Sequence, residues 1–266
     1  MAQSKYVFQR VEDQSELERL RMIERVFDPA SRRRLMATGL QPGWRCLEVG
    51  PGAGSIMTWM GEAVGTTGQV VAVDLDPKFL GESGQSNMEI VRADIRTAPL
   101  AEQSFDLVHA RYVLIHIPDY EMVLNRILDC LKPGGWLVLE EPDFSASRGI
   151  TGSSEQLKAV QKVNDAIKVM FERLGMDYSL GQNMPVLLQA RGLQSLTVEN
   201  DAPSSAGGSR MATIMNMSTI QLREKYLATG VVEQSDLEQY CRFAEDPNSW
   251  AIHYATITVS GQKPEG

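Results

Sequence analysis

The sequence predicts an α/β fold with a mostly parallel sheet and helices on both of its faces. Five apolar runs have the length and composition of strands: 44–49, 69–74, 88–93, 105–111 and 136–140. Segments with apolar residues at helical spacing separate these runs, and a glycine-rich turn follows the first of them. Because strand–helix–strand connections are right-handed and return to the same sheet, this alternation indicates parallel strands.

Capping patterns and apolar stripes predict the helices of the first half. Ser15 and Glu18 form a capping-box pattern for a first helix, while Asp28 and Pro29 predict the start of a second one, which ends near Gly39. The glycine-rich turn and the fourth strand are each followed by a further amphipathic helix. Only a short helix is expected between the second and third strands, where glycines and serines interrupt the pattern.

The second half adds segments to this alternation. Ser153 and Gln156 form a capping box that predicts a long helix, and Gly175 can end it. Beyond a linker rich in Gly and Ala, the pattern predicts two helices and a last strand: 211–229, 235–245 and 250–260. No internal repeat is visible.

Composition and charge narrow the function classes. With 266 residues, 43% of them hydrophobic, the chain can bury one sizeable core, which favours a single domain, 1–266, over two. The net charge of −8 disfavours a nucleic-acid partner, because proteins that bind phosphate backbones gather Lys and Arg on one face. The densest basic run, three arginines at 32–34, fans around a helix axis and is interpreted as solvated surface.

Cysteine usage and hydropathy predict a cytoplasmic protein. Cys46, Cys130 and Cys241 are far apart, odd in number and without metal-ligand spacing, as expected in a reducing compartment. No apolar run reaches the roughly 20 residues that a membrane span needs, and the amino terminus shows no apolar signal core. We therefore expect no membrane span.

The glycine-rich turn predicts a nucleotide-like ligand. Gly50, Gly52 and Gly54 let the backbone turn so tightly that a ligand can lie against bare amides at the next helix's amino terminus. Asp74, 20 residues after Gly54, ends the next strand and can accept hydrogen bonds from ribose hydroxyls. A dinucleotide site would place a third glycine three residues after the second, and position 55 is Ser, which weakens an NAD interpretation.

Four segments in order resemble the class I S-adenosylmethionine-dependent methyltransferases. They are Glu-Val-Gly-Pro-Gly-Ala-Gly (48–54), Val-Asp-Leu-Asp-Pro (73–77), Val-Arg-Ala-Asp-Ile (91–95) and Leu-Lys-Pro-Gly-Gly-Trp-Leu-Val-Leu-Glu (131–140). The match covers about 40–145 and is closest in type to the small-molecule enzymes of ubiquinone and menaquinone biosynthesis. The resemblance implies a Rossmann-like, seven-stranded sheet with one antiparallel strand, and S-adenosyl-L-methionine as cofactor.

The resemblance also implies roles for individual cofactor-site residues. Glu48 would organise the glycine loop or reach the methionine end of the cofactor, the alternative being a solvated carboxylate. Leu75 and Ile95 would cover the adenine ring, or be ordinary core, and Asp94 would accept from the adenine amino group. The backbone of Arg111 would meet the methionine portion, while its side chain could instead pair with a nearby acid.

Segments outside the core are expected to cover the substrate. By resemblance, 1–39 would form an amino-terminal helical lid, in which Tyr6 either closes over the cofactor or belongs to a mobile terminus. The segments 146–178 and 210–247 would be helical insertions above the site. Met215 belongs to a methionine-rich set, 170–217, that could line a soft apolar pocket or fill the core. These insertions favour a homodimer.

Methyl transfer requires alignment and water exclusion more than covalent chemistry, so a general base is a secondary prediction. His116, in the loop beside the methyl end, is the best candidate, the alternative being a structural hydrogen bond. His109 sits inside a strand buried on both faces and is interpreted as a core histidine. His253 could point either way. Glu141 and Asp143, taken as exposed loop acids, could orient or deprotonate a substrate.

The prediction for function is metal-independent methyl transfer to a small, apolar or aromatic metabolite through oxygen, nitrogen or carbon. The fourth strand ends in Ala110, Arg111 and Tyr112, which is a poor metal site. Two alternatives from other classes stay open. One is a cofactor-binding enzyme of natural-product biosynthesis that catalyses a cyclisation or rearrangement, and the other is a non-catalytic partner subunit. A nicotinamide-dependent redox enzyme is weaker still, because no Tyr-x-x-x-Lys pair is present.

Overall fold

A central parallel sheet organises this computed structural model, which describes residues 6–8, 12–81 and 86–265. The strands of the described residues are β1 (Arg45–Val49), β2 (Gln69–Asp74), β3 (Met88–Arg92), β4 (Phe105–Arg111), β5 (Leu131–Asp143), β6 (Arg148–Thr151), β7 (Gln194–Asp201), β8 (Ser205–Ala206), β9 (Trp250–Ile252) and β10 (Ala255–Gln262). The helices are α1 (Asp13–Ala37), α2 (Ser55–Val64), α3 (Tyr120–Cys130), α4 (Ser154–Arg173), α5 (Leu180–Ala190), α6 (Arg210–Gln221), α7 (Arg223–Leu227) and α8 (Gln234–Glu245).

Within the described residues, seven strands join in the order β3-β2-β1-β4-β5-β10-β7. β10 runs antiparallel to both of its neighbours, and the other pairs are parallel. The sheet is apolar on both faces because its crossover helices cover both of them. The predicted class I methyltransferase fold, with seven strands and one of them antiparallel, is confirmed.

The amino-terminal segment forms one helix, so the two predicted helices are a correction. α1 begins at Asp13 and continues through Pro29 to Ala37, and Ser15 lies inside it rather than at a cap. A proline in a helix interior removes one backbone hydrogen bond and strains the preceding turn. Long-range contacts compensate here, since Asp28 is bonded to Arg111 of β4 and Arg34 to Glu140 of β5.

The added helices pack on one another beside the carboxyl edge of the sheet. Ser153 and Gln156 form the predicted capping box at the start of α4, which contacts α7 and α8, and α6 contacts α1 and α8. The predicted last strand, 250–260, is instead two strands, because β9 joins a small sheet with β6 and β8 before β10 enters the main one. Residues 77–81, in the expected short crossover helix, are not helical, and 82–85 lie outside the described residues.

Candidate functional site

A cavity of about 330 Å³ lies at the carboxyl ends of β1, β2 and β4. This edge is where open α/β sheets bind ligands, and the volume is at the lower end of the range for small-molecule sites, ~300–1,000 Å³. One end of the cavity is bounded by the glycine loop and by the acids that follow β2 and β3. The other end is bounded by α1, α4, α6 and the segment 6–8. The two ends differ in chemistry, polar at the first and aromatic at the second.

The glycine loop turns through three glycines with positive φ, at positions 50, 52 and 54. Gly50 has φ +64°, and a Cβ there would lie 2.5 Å from Val113 Cγ2, so any other residue would be strained and obstructed. Gly52 has φ +62° and faces the cavity, with Leu20 Cδ2 the nearest atom, 3.7 Å from where its Cβ would be. Gly54, with φ +93°, is the N-cap of α2. The backbone is thereby open to a ligand at Gly52.

Acids and apolar groups form the outer rim of the cavity. Asp74 lines the cavity, and burial raises the pKa of its carboxyl group, while one oxygen accepts from the Asp76 backbone N–H at 2.8 Å. Leu75 is exposed at the rim and Ile95 is buried in the wall. Asp94 also lines the cavity, but Arg96 donates to both of its oxygens, which lowers the pKa of the Asp94 carboxyl group. Asp94 therefore meets any ligand as an arginine-paired carboxylate.

Glu48 reaches the cavity from the end of β1 and is buried rather than solvated. Its Oε2 lies 2.8 Å from His109 Nδ1, and the other ring nitrogen lies 3.0 Å from Glu140 Oε1. The interpretation of His109 as a satisfied core histidine agrees with these contacts. Arg111 lines the cavity too, and its guanidinium donates to Asp28 at 3.0 Å, which is the pairing alternative raised for its side chain.

Tyr6 closes the cavity from above and lies against His116. Its hydroxyl donates to Glu16 at 2.5 Å and accepts from Arg19 at 2.9 Å. The ring meets the His116 ring edge-on, with centroids 5.0 Å apart. Lys225 donates to the backbone carbonyl of Val7, so α7 also holds this segment. The described residues 6–8 are thus anchored over the cavity, whereas 1–5 and 9–11 of the predicted lid lie outside the described residues.

His116 is the histidine that faces the cavity. The residue is partly buried, and its Nδ1 atom is shielded from solvent and has no hydrogen-bond partner among the residues that the structure describes. Burial, with the nearby cations of Arg19 and Lys225, lowers the pKa of His116 to about 3. The imidazole is therefore neutral at ordinary pH, and one of its two ring nitrogens can accept a hydrogen bond, which one depending on the tautomer.

The inner end of the cavity has an aromatic wall. Tyr112, at φ +57°, leaves β4 in a left-handed conformation, and its hydroxyl lies 2.6 Å from Thr256 Oγ1. Its ring meets Tyr254 edge-on, and Phe144 packs on both Tyr254 and Phe171. The predicted pocket residue Met215 lines the same end. The inner end therefore suits a flat, apolar ligand.

Three predicted substrate residues lie outside this cavity wall. Glu141 and Asp143 belong to β5 and are buried, so their description as exposed loop acids is wrong. Glu141 accepts from the backbone N–H groups of Val113, Leu114 and Ile115, which fixes the loop that carries His116. Asp143 accepts from Ser145 N and Gln182 Nε2, while Pro142 and Phe144 face the cavity.

His253 is likewise buried between β9 and β10 and does not line the cavity. Burial lowers the pKa of its ring to about 4. Its backbone carbonyl accepts from the hydroxyl of Ser147, so the backbone at 253 ties the end of β9 to the turn after β5. The neighbouring Tyr254 is the residue of this segment that faces the cavity.

Sequence reasoning missed the side chains of α1 that reach the site. Glu16 and Arg19 form a buried ion pair at 2.8 Å under Tyr6. Glu24 accepts from the backbone N–H of Ser55 at 3.0 Å, at the amino terminus of α2. The spacing of these polar residues along one helix was the available signal, but charged residues on an amphipathic helix usually mark its solvated face.

The described residues include neither a metal-ligand cluster nor a membrane-spanning helix. In them, no three His, Cys, Asp or Glu side chains are grouped so that they could hold a metal ion. None of the helices seen there combines the length and the hydropathy required to cross a bilayer.

Fold, glycine loop and rim acids together resemble those of the class I S-adenosylmethionine-dependent methyltransferases. Comparison with known proteins agrees, because residues 47–139 match the family model described as a methyltransferase domain. The chain is 32% identical over 116 residues to a demethylmenaquinone methyltransferase of Staphylococcus aureus, a match that covers 41% of this chain and 48% of that protein. Residues 47–139 thus match a methyltransferase domain, and the chain spans about half the length of this curated relative.

Solved structures support the fold. The phosphoethanolamine N-methyltransferase 2 of Haemonchus contortus, solved with phosphomonomethylethanolamine and S-adenosylhomocysteine, has a TM-score of 0.61 at 18% identity, over 99% of this chain and 61% of that one. The [4+2]-cyclase SpnF has a TM-score of 0.54 at 18% identity, over 91% of this chain and 82% of that one. At these identities the likeness concerns the fold alone.

The residues present fit the cofactor of this class. The cavity joins a bare backbone position at Gly52 to two carboxylates, Glu48 and Asp74. Carboxylates suit the ammonium group of the methionine portion and the ribose hydroxyls, and Ile95 offers an apolar face for the adenine ring. The residues of the cavity therefore suit the methionine, ribose and adenine parts of S-adenosylmethionine.

Proposed function

We propose that this protein transfers the methyl group of S-adenosylmethionine to a small apolar or aromatic acceptor. One observation carries the proposal: a single cavity joins the glycine loop and rim acids to an aromatic inner end, and a neutral, partly buried histidine faces the inner part. The arrangement supports alignment of two ligands end to end in a space screened from water, which is what methyl transfer requires.

The cofactor would be held by the residues of the polar end. Asp74 would accept from the ribose hydroxyls, Ile95 and Leu75 would border the adenine ring, and Glu48 would face the methionine amino group. When bound, the cofactor supplies an activated methyl group on a sulfonium. Arg111, held by Asp28 at 3.0 Å, would present only its backbone to the methionine portion.

His116 would orient the acceptor and take its proton. The ring nitrogen of His116 that faces the cavity would accept a hydrogen bond from the acceptor and receive that proton as the acceptor atom bonds to the methyl carbon. A nitrogen whose pKa is about 3 takes a proton only from a strong acid. A hydroxyl becomes a strong acid as it gains a methyl group, whereas an ammonium does not, so the environment of His116 favours an oxygen acceptor.

The enclosure of the inner end would exclude water. Tyr6 covers His116 on one side, and Phe171 and Met215 border the acceptor space on the others. We propose that the anchored segment 6–8, α4 and α6 act as the cover of the acceptor. Among the described residues that line this end, the Glu16–Arg19 pair supplies the charged side chains, and the otherwise apolar walls suit a neutral, flat acceptor.

We also propose that the reaction requires no metal ion. The guanidinium of Arg111 occupies the end of β4, where a catechol-type metal would bind, and it is held there by an acid. Turnover should be unchanged after dialysis against a strong chelator. Restoration of a lost activity by Mg²⁺ would reject this part of the proposal.

The first experiment is calorimetric titration with S-adenosylmethionine and, separately, with NADH. We expect micromolar binding of the sulfonium alone, followed by a gain of one methyl mass on apolar hydroxylated acceptors. A product of unchanged mass would identify a cyclisation or rearrangement, and cofactor binding without turnover across the acceptor panel would favour a partner subunit. Binding of NADH instead would overturn the proposal.

A further inference from the structure

A buried chain of alternating charges runs from the cavity to the far edge of the sheet. Its members are Glu48, His109, Glu140, Arg34 and Glu199. His109 contacts Glu48 and Glu140 as described above. Beyond Glu140, Arg34 Nη1 lies 3.2 Å from Glu140 Oε2, and Arg34 Nε lies 3.1 Å from Glu199 Oε2. The first four side chains are buried, and Glu199 on β7 is 49% exposed. No step of the proposed mechanism uses His109.

Geometry fixes the charge of His109. Each ring nitrogen lies within hydrogen-bond distance of a carboxylate oxygen, at 2.8 Å and 3.0 Å. An ionised carboxylate only accepts hydrogen bonds, so both nitrogens must carry a proton and the ring is an imidazolium. β4 lies between β1 and β5, each about 4.8 Å away. A histidine suits this position because one ring nitrogen can reach an acid on β1 and the other an acid on β5.

One imidazolium cannot neutralise both Glu48 and Glu140, so negative charge remains on Glu48 at the cavity. The imidazolium is shared between two acids, and Glu140 also accepts from Arg34. Arg111 attracts both acids electrostatically, but its guanidinium is hydrogen-bonded to Asp28, so Glu48 relies on His109 for a hydrogen bond to Oε2. No other bond to the Glu48 carboxylate is present within the described residues, and the residue lines the cavity. A buried acid without any counter-charge would favour its neutral form, which attracts a cation far less.

We propose that His109 is a positioning residue for the cofactor. It holds the Glu48 carboxylate ionised and oriented, so that Oε1 receives the ammonium group of the methionine portion. This inference rests on the proposed function, because it assumes that S-adenosylmethionine occupies the cavity. It adds a role for a side chain that does not line the cavity and that touches neither substrate nor cofactor.

The test compares two ligands that differ only at the predicted contact region. S-Adenosylhomocysteine carries the amino-acid portion, and 5′-methylthioadenosine keeps the adenosine and sulfur without it. In His109→Gln, the dissociation constant of S-adenosylhomocysteine should rise by about 10- to 100-fold, the value of a charged hydrogen bond. That of 5′-methylthioadenosine should stay within about twofold, the limit set by additivity of distant groups.

Glu140→Gln is the matched control. Its amide oxygen can still accept from His109 Nε2, so the bond to Glu48 is kept while the same buried network is altered. We expect both ligands to keep nearly wild-type affinity. A merely structural role for His109 would instead weaken both ligands equally in His109→Gln, or produce the same selective loss in Glu140→Gln, and either result would overturn the inference.

Nuclear magnetic resonance of the wild-type protein decides the matter if His109→Gln does not fold. With three histidines in the chain, His116→Gln and His253→Gln assign the ring signals by subtraction. Both His109 nitrogens should be protonated, and Nδ1 should shift with S-adenosylhomocysteine but not with 5′-methylthioadenosine. An unmoved Nδ1 with bound ligand would overturn the inference alone, whereas binding of neither ligand would overturn the proposed function and the inference together.

Discussion

His109 and His116 lie seven residues apart in the chain, yet their surroundings make His109 a cation and keep His116 neutral. Two carboxylates hold the ring of His109 in the interior of the sheet, where Glu48 and Glu140 raise its pKa to about 9 against the effect of burial. His116 faces the cavity beside the cations of Arg19 and Lys225, and burial lowers its pKa to about 3.

The difference shows that charge at a buried histidine is set by its partners in space. The acids around His109 come from β1 and β5, and the cations around His116 come from α1 and α7. One region uses a fixed cation to keep an acid charged, and the other uses nearby cations to keep a base neutral. The first arrangement suits binding, and the second suits acceptance of a proton.

Removing the cation of the first region should have the largest effect. His109→Ala removes the cation that is hydrogen-bonded to both Glu48 and Glu140, and we expect the free energy of unfolding to fall by about 3–5 kcal/mol, as for other broken buried ion pairs. Urea denaturation measures it. His253→Ala, also buried but without a charged partner, should lose clearly less, and equal losses would contradict the contrast drawn between the two kinds of buried ring.

Raising the pH should weaken the same region. His109 has a folded-state pKa raised from 6.5 to about 9, so its contribution is complete below pH 6.5 and is lost as pH rises through about 9. The full contribution is about 3 kcal/mol at 1.36 kcal/mol per pKa unit. Burial raises the pKa of Glu141 to about 8, which acts in the same direction between pH 4.5 and 8.

Denaturation of the wild type and of His109→Gln across pH 6–10 separates these two contributions. The variant should keep the Glu141 part of the slope and lose the part above pH 8. A wild-type free energy of unfolding that stays constant from pH 7 to 10 would show that His109 is not a cation in the folded state.

Replacing the neutral base should affect catalysis and leave stability nearly unchanged. His116→Ala is expected to reduce kcat by about 100-fold, or about 2.7 kcal/mol of barrier, the lower end of the range for general bases. Cofactor affinity should be preserved, because the ring lies toward the acceptor end. Wild-type turnover in this variant would return His116 to a structural role, and stopped-flow or steady-state assays of methyl transfer provide the measurement.

Asp74 provides a third case, a cavity acid with no buried cation beside it among the described residues. Asp74→Ala should weaken S-adenosylmethionine binding by about 1–3 kcal/mol, since it removes a partly buried acceptor for the ribose. Asp76→Ala is the matched control: its carboxylate lies at the same rim but is 52% exposed, and in the described part of the chain it pairs with the surface cations Lys78 and Arg92. Equal calorimetric losses in the two variants would reject the ribose assignment.

Tyr6→Phe should give the smallest effect. The ring that covers His116 is kept, while the hydroxyl bonds to Glu16 and Arg19 are lost, at about 0.5–1.5 kcal/mol for a hydrogen bond. We expect the KM of the acceptor to rise by two- to tenfold with little change in kcat. A large fall in kcat would mean that the Tyr6 hydroxyl itself takes part in the reaction.

Local patterns were sufficient to predict the elements whose neighbours in sequence are also their neighbours in space. The glycine loop, the positions of Asp74 and Ile95 and the capping box of α4 follow from residues a few positions apart. Pro29 misled the prediction because the contacts that carry α1 through it come from strands more than 80 residues away. Burial of Glu141 was not visible for the same reason, since its partners are the backbone amides of another strand's loop.

α1 connects parts of the site that are distant in the fold. Along one rigid helix it places Glu16 and Arg19 under Tyr6, Glu24 at the glycine loop and Arg34 beside the centre of the sheet. An α-helix rises about 1.5 Å and turns about 100° per residue. Deleting a single residue between Arg19 and Glu24 would therefore rotate one group out of register with the others, so the length of this helix is as strictly constrained as the identity of any residue in the cavity.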